Sequence, residues 1–431
     1  MVRSSIVFSF FVLLIPRIDS TTLLPLCNIL NFGAVGDNRT EDTAAFALAI
    51  ASCSIVTLPS PYSFLIRPVK LDAHDNLTLI IEKGATLVGW SDIDTWNASD
   101  GGIMRALLWS DAHRNCSSIS KANILRYKDD LCIAPLVGLS IIGGGTIDGQ
   151  GWRWWKFLKT RSRPMLINLV NAQNLFVSNV TLIDSPSFHL QVRGSDIEIE
   201  HVTIKAGNCT GWFQAPNTDG LNIGGQRIYV HDSYIHNGDD CVPTNVGVNG
   251  EDTVDVLVER VVCECGTNGG VPIIAGNGTV RNVVYKDMIV RGTNQGAGAK
   301  ISEIYDTPTG NFINITWQNI SIENPRYAAL YANMFQEDTS PHQCLVPNNS
   351  SHPLNWLSAH NFTFKDISIT INSTTGSYSG CFVCSNTSRC TGFVFDNVQV
   401  SDVGQPPIQF EYICGNVDYS SFGSVPTPCQ S

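Results

Sequence analysis

From residue 175 onward one pattern of positions keeps returning: apolar, x, apolar, x, x, apolar, x, apolar. It runs from Leu175 to Leu182, returns from Ile197 to Ile204, and recurs more loosely from Ile228 to Ile235. Val256 to Cys263 and Val283 to Val290 repeat it, and Ile315, Phe362 and Phe393 begin three more copies. Most starts lie 22 to 32 residues apart, with one step of 47 between positions 315 and 362. Each copy reads as two short alternating strands broken by a two-residue corner. Alternation marks a strand with one buried face. A coil this short cannot bury that face alone, so neighbours must stack. Parallel crossovers take the right hand. The pattern therefore predicts an all-β, single-domain, right-handed parallel β-helix. A β-sandwich is the competing architecture, but it has no need of a repeated corner.

The N-terminal part reads differently. Glu41 to Ala51 is patterned as a short amphipathic helix that would cap the open end of the stack. Such an end otherwise exposes apolar surface and strand edges. Residues 1–20 read as a signal peptide: Arg3 gives a basic start, Ile6 to Ile15 are almost wholly apolar, and Pro16 to Ser20 form the exit. That run is too short to span a bilayer, and no other stretch is long enough, so no membrane anchor is expected. Residues 21–431 carry no Gly/Ser tract or charge block that would mark a second domain. The expected localisation is secreted, extracellular or cell wall.

Composition supports that compartment. Fourteen cysteines suit an oxidising environment. Cys27 and Cys53 could close the N-terminal segment, and Cys241 could pair with Cys263 or Cys265. A zinc site at Cys381 and Cys384 lacks a second Cys/His pair at finger spacing. Asn-x-Ser/Thr sequons are dense and include Asn38, Asn76, Asn179, Asn277, Asn314, Asn319, Asn361, Asn372 and Asn386, as expected of a secreted glycoprotein. The net charge of −11 argues against nucleic acid as a partner.

The candidate chemistry is acidic. Asn217-Thr218-Asp219-Gly220 is followed about one repeat later by Gly238-Asp239-Asp240-Cys241. Asp240 lies 12 residues after Ile228, Gly269 lies 13 after Val256, and Gly298 lies 15 after Val283. Asp219 follows Ile197 by 22, in a coil carrying an extra segment at Gly211 to Gln214. Allowing for that segment, these positions fall on one sheet of successive coils. Adjacent strands lie ~4.8 Å apart. Carboxylates on neighbouring coils can thus reach the ~6.5–9.5 Å separation of an inverting glycosidase. The competing readings are turn chemistry and calcium binding.

These residues resemble polygalacturonases of glycoside hydrolase family 28 over nearly the whole mature chain. Asn31 to Asp37 with Glu41 to Thr43, Gly145 to Trp152 with Trp154 and Trp155, Arg163-Pro164 and Ser185-Pro186 are similar to its signatures. The two acidic motifs are its most specific hallmarks. The resemblance implies a glycosidase acting on pectic polysaccharide with inversion, as a monomer, with no metal and no cofactor. It implies Asp239 as general acid, and Asp219 and Asp240 as the groups that activate water. Asn217 would orient the neighbouring carboxylate and Lys300 would contact substrate charge. A polyanionic substrate needs a locally basic cleft on a chain of this net charge.

The departures are specific. Ungapped alignment puts Gly269 where the family has a His, Gly298 where it has an Arg, and Phe335 where it has a Tyr. Losing a charge-assisted contact to a sugar carboxylate is worth ~1.5–3 kcal/mol. The departures leave three alternatives to full polygalacturonase activity. One is a hydrolase whose leaving sugar is neutral, of the rhamnogalacturonan type. Another is a non-catalytic pectin-binding decoy. The third, more remote, is a lyase on the same fold. Gly269→His with Gly298→Arg is expected to raise polygalacturonate cleavage if those losses limit it. His189 reads as stacked inside a coil, and Trp152, Trp154 and Trp155 as the wall sealing an early coil.

Overall fold

The computed structural model describes residues 26–429 except 94–95, 97, 100–102, 112, 116–124, 127–130, 134, 157–162, 208–214, 248–250, 267–268, 275, 294, 301–309, 334, 337–351, 354–356, 373–377, 385–389, 405–411 and 426–427. Residues 1–20, which read as a signal peptide, the extra segment at residues 211–214 and the sequon asparagine Asn386 lie outside the described residues.

The chain winds into a right-handed parallel β-helix. Its longest ladder runs through Ile167–Ser178, Leu190–Glu200, Leu221–His236, Thr253–Glu264, Gly278–Arg291, Gly310–Glu323, Ser358–Ile371 and Phe393–Asp402, every neighbour parallel. A second ladder stacks Gly269–Ile274, Gln295–Lys300, Ala328–Asn333, Tyr378–Val383 and Tyr412–Gly415. The repeated motif is the first ladder, in register: Ile197 faces Ile228, which faces Val256, which faces Val283, which faces Ile315.

The corners have a backbone cause. Two residues per coil, five apart, take a left-handed conformation with φ between 49° and 60°. One series is Asn174, Asp196, Arg227, Asp255, Asn282, Asn314 and Asn361; the other is Asn179, His201, Asp232, Arg260, Asp287, Asn319, Asp366 and Asn397. Asn and Asp tolerate this region better than other side-chain-bearing residues. Stacking then lets them bond along the ladder. Asn361 Nδ2 donates to Asn314 Oδ1 at 3.0 Å, Asn314 to Asn282 at 3.2 Å, and Asn282 to Asp255 at 2.9 Å. Where a coil carries Arg instead, it forks onto the Asp below: Arg227 on Asp196 and Arg260 on Asp232. A corner Asn followed by an inward apolar residue and an outward Thr or Ser spells a sequon. Asn179, Asn314, Asn319 and Asn361 are sequons for this reason.

Inside, the apolar residues stack in files. Tyr285, Trp317, Phe364 and Phe395 form one stacked file with centroid steps of 6.2, 4.9 and 5.4 Å. The polar tips find partners: Tyr285 Oη bonds Thr244 Oγ1 at 2.6 Å, and Trp317 Nε1 donates to Val271 O at 3.2 Å. The cap is the helix Thr43–Ser52, burying Ala45, Phe46, Ala49 and Ile50. It starts two residues later than its pattern suggests. Glu41 ends a strand, and the Asp42 carboxylate accepts from the N–H groups of Val35 and Gly36. The Cys27–Cys53 disulfide ties the cap to the first coil. Trp154 is fully buried edge-on to Trp96, while Trp152 is half exposed, so the wall is chiefly Trp154.

Candidate active site

The two acidic motifs lie on adjacent rungs. Gly220 N–H donates to Asp240 O at 2.9 Å, and Asn237 Nδ2 joins Thr218 O (3.0 Å) to Asp240 O (2.7 Å). Gly238 N–H donates to Thr218 Oγ1 at 2.9 Å. The Cys241–Cys263 disulfide, one of the two expected pairings, anchors the acidic turn to the long strand of the next coil. Constraining such a loop stabilises by roughly 2–4 kcal/mol. Asp219, Asp239 and Asp240 are all buried, at 4, 9 and 2 % exposure.

Each carboxylate is held by a different device. Asp219 Oδ2 accepts from Asn222 Nδ2 at 3.0 Å. Asn222 is itself clamped by Arg193 Nη2 at 2.7 Å and by Asn245 Nδ2 at 2.8 Å, both on its Oδ1. Asn217 takes the left-handed backbone conformation, φ 57°, and its carbonyl faces the Ser187 hydroxyl. The amide seen orienting Asp219 is thus Asn222, a residue the motif reading passed over. It stands between Leu221 and Ile223, where ordinary strand alternation puts a polar residue, so the sequence carried no special signal for it. Asp239 Oδ1 accepts the N–H of Asp240 at 2.8 Å, and Asp240 Oδ1 accepts the N–H of Gly269 at 2.6 Å.

Positive charge is present beside these acids. Arg163 is 6 % exposed and donates through Nη2 to Pro216 O at 2.5 Å; its Nε and Nη1 have no hydrogen-bond partner. Burial pulls its guanidinium down to about 10, and the Asp239 charge pushes it back up. It remains a cation at neutral pH. Arg163 and Arg193 supply the local basicity that the net charge alone does not suggest. Lys300 ends the strand Gln295–Lys300 with its backbone paired to Ile274, and its side chain is outside the described residues. Phe335 likewise lies in a short strand with an undescribed side chain.

His189 is structural, as its sequence context implies. It is fully buried; its Nδ1 faces Asp219 O at 3.1 Å and its Nε2 faces the N–H of Ser185 at 3.4 Å. A carbonyl on one nitrogen and a donor on the other define the neutral tautomer protonated at Nδ1. Burial pulls its ionisation down to about 4 from the ordinary 6.5, opposed by the Asp219 carbonyl. The unfolded chain then takes up a proton below pH ~6.5 that the folded chain refuses until pH ~4. Stability from this group is complete above 6.5 and drains away between 6.5 and 4, by about 3 kcal/mol. His189→Asn keeps a donor for Asp219 O but does not titrate. Urea unfolding at pH 7 and pH 4 should show the smaller loss in the variant. Equal losses would remove His189 from the account.

The glycines are not simple vacancies. A Cβ on Gly269 would sit 2.8 Å from Tyr331 Oη and 3.1 Å from both Asp240 Oδ1 and Pro272 Cγ. Gly298 has φ 156°, and a Cβ there would overlap the backbone carbonyl of Tyr331, with Tyr331 C at 2.8 Å and N at 2.9 Å. In register, Gly269 faces Gln295, and Gly298 faces Pro272 on one side and Tyr331 on the other. The two positions share a sheet but not a rung. Cys384 pairs with Cys390, and Cys381 is also disulfide-bonded, so neither sulfur is a thiolate free to bind zinc.

The fold is a parallel β-helix, and the two acidic motifs lie on its adjacent rungs. Residues 121–423 match glycosyl hydrolases family 28, and the chain belongs to that family. It is 23% identical over 440 residues to Probable polygalacturonase At1g80170 of Arabidopsis thaliana, spanning 97% of this chain and 88% of that protein. It is 23% identical to Polygalacturonase-2 of Solanum lycopersicum, over 97% of this chain and 83% of the relative. A 28% match to Probable polygalacturonase At3g15720 of Arabidopsis thaliana spans 69% of this chain and 58% of that relative's length. Among solved structures, the polygalacturonase from Erwinia carotovora superposes with a TM-score of 0.63 at 20% identity, covering 94% of this chain and 98% of that one. The endo-xylogalacturonan hydrolase from Aspergillus tubingensis gives 0.68 at 18%, covering 93% and 100%. Among the described residues, no helix is long and apolar enough to cross a membrane.

Proposed function

We propose that this chain is a secreted, monomeric hydrolase of galacturonate-containing pectic polysaccharide, cleaving α-glycosidic bonds with inversion. The observation that carries the reading is the pairing of Gly220 with Asp240, which puts Asp219 one rung from the Asp239-Asp240 turn in a family 28 chain. Relatives named as polygalacturonases support the substrate class. Asp239 protonates the glycosidic oxygen as the C1–O bond breaks and its electron pair passes to the leaving sugar. Asp219 and Asp240 accept a proton from a water that attacks C1 on the opposite face. Acid and base each contribute ~10²–10⁴-fold. Arg163, Arg193 and Lys300 offset the charge of sugar carboxylates, and Asn217 lines the same cleft. No step needs a metal or a cofactor.

A second reading concerns the leaving sugar. Gly298 has no room for any side chain against the Tyr331 carbonyl, so no guanidinium reaches the leaving-sugar carboxylate from that position. A neutral leaving sugar such as rhamnose needs none. Proton NMR of the first-formed reducing ends tests the reaction itself. The β-anomer appearing first from an α-linked substrate supports inversion. The α-anomer first would overturn it, and an unsaturated product would mean elimination instead.

A further inference from the structure

Tyr331 is a buried hydroxyl without a use. Its side chain is 1 % exposed and packs with Ala328, Cys381 and Val383 on the outer face of the second ladder. Its Oη has no hydrogen-bond partner. A buried hydroxyl left unpaired costs about 1–3 kcal/mol, so an orphan of this kind requires a reason. The reason lies in where it points. The same point in space, a Cβ's place on Gly269, is 2.8 Å from Tyr331 Oη and 3.1 Å from Asp240 Oδ1. The tyrosine therefore reaches, from two coils away, the space that an imidazole on residue 269 would fill. The hydroxyl also stays protonated: burial first, then the Asp240 charge, then Tyr285 push its ionisation well above the ordinary range. It can only donate usefully to an anion, and Asp240 is the anion whose charge it senses.

We propose that Tyr331 is a positioning residue of the catalytic site: its hydroxyl closes onto the Asp240 carboxylate when substrate binds, taking the place left open by Gly269. This rests on the reading of Asp240 as a carboxylate that activates water. Hydrogen bonds of this kind are often long in a free enzyme and tighten in the complex. Gly269 is then required rather than merely tolerated, since any side chain there would displace the hydroxyl. Asp240 would gain the phenol as a donor beside the Gly269 N–H already in place.

The test is Tyr331→Phe, which keeps the ring and its packing. The expected result is a kcat lower by roughly 10- to 100-fold with little change in KM, matching loss of one hydrogen bond to a charged group. The acid limb of the kcat/KM profile should move to higher pH, because a carboxylate stripped of a donor ionises less readily. Melting temperature should hold or rise. A rate and an acid limb unchanged from wild type would overturn the proposal, leaving the ring as packing alone. A second readout needs no turnover: the stability difference between wild type and Tyr331→Phe, measured with a bound galacturonate oligomer from pH 3 to pH 7. It should change as Asp240 ionises if the hydroxyl serves that carboxylate, and stay flat if it does not. Absence of hydrolysis by wild type would thus sink the functional reading while this titration still judges Tyr331. A swap adds a third arm. Gly269→His is expected to be inactive alone and partly rescued by Tyr331→Ala, whereas additive effects count against the proposal.

Discussion

Asp239→Asn is expected to abolish glycosidic cleavage while leaving the fold and substrate binding intact. The exchange conserves volume at a residue that is 9 % exposed, and the amide oxygen can still accept the Asp240 N–H that Asp239 Oδ1 accepts now. What it removes is the proton. Without it the leaving oxygen departs as an alkoxide, and kcat should fall by about 10³-fold or more, within the range for a positioned general acid. KM should hold within a few-fold, because the cations beside the site remain. Arg163 keeps its bond to Pro216, and Arg193 keeps its clamp on Asn222. Steady-state kinetics beside an unfolding curve checks this. Residual activity near wild type would move the acid to another residue; loss of activity together with a collapsed melt would say nothing for catalysis and everything for packing.

The second large effect is one in which restoring the family's residues fails. Gly269→His with Gly298→Arg looks from sequence like a repair. The backbone forbids it. Any side chain at 298 meets the Tyr331 carbonyl on the facing strand, in a φ region that L-residues rarely occupy. Neither strand can retreat, since each is paired on both sides: Gln295–Lys300 between Gly269–Ile274 and Ala328–Asn333, and the last also against Tyr378–Val383. Overpacking and backbone strain together should destabilise by about 4 kcal/mol or more. Thermal melts and soluble yield are the measurement. A double variant that melts like wild type and cleaves polygalacturonate faster would show that the two glycines are losses and not parts of a rebuilt sheet.

The contrast between what was and was not legible follows from range. The coil repeat could be read from Leu175 to Phe393 because it is local: inward residues alternate, and most corners carry Asn or Asp where the backbone turns left-handed. The corner also carries a second signal. Asn179, Asn314, Asn319 and Asn361 are sequons and corner residues at once, so corner geometry alone is enough to produce them. The acidic motifs were visible for the same local reason. Their supports were not. Arg163 precedes Asp239 by 76 residues, Asn222 is one buried polar residue in an alternating strand, and Tyr331 follows Gly269 by 62. Those distances close only through the register of separate coils. Ungapped alignment looked for a tyrosine at Phe335 and passed over Tyr331 four residues earlier, because alignment compares positions along a chain and this contact runs across it. Net charge hides local charge in a similar way: −11 is a sum over the whole chain, while Arg163 and Arg193 are placed at the acids.

The most direct test of the central claim is reducing-end release by the purified protein on polygalacturonate and on rhamnogalacturonan, side by side, with Asp239→Asn as control. The account predicts release by wild type from at least one of them and none by the variant. Release from rhamnogalacturonan alone would assign Gly298 to a neutral leaving sugar, and release from polygalacturonate would mean that Arg163, Arg193 and Tyr331 compensate for the missing imidazole and guanidinium. A folded wild-type protein that binds both polymers and cleaves neither would contradict the account and leave a pectin-binding β-helix in its place.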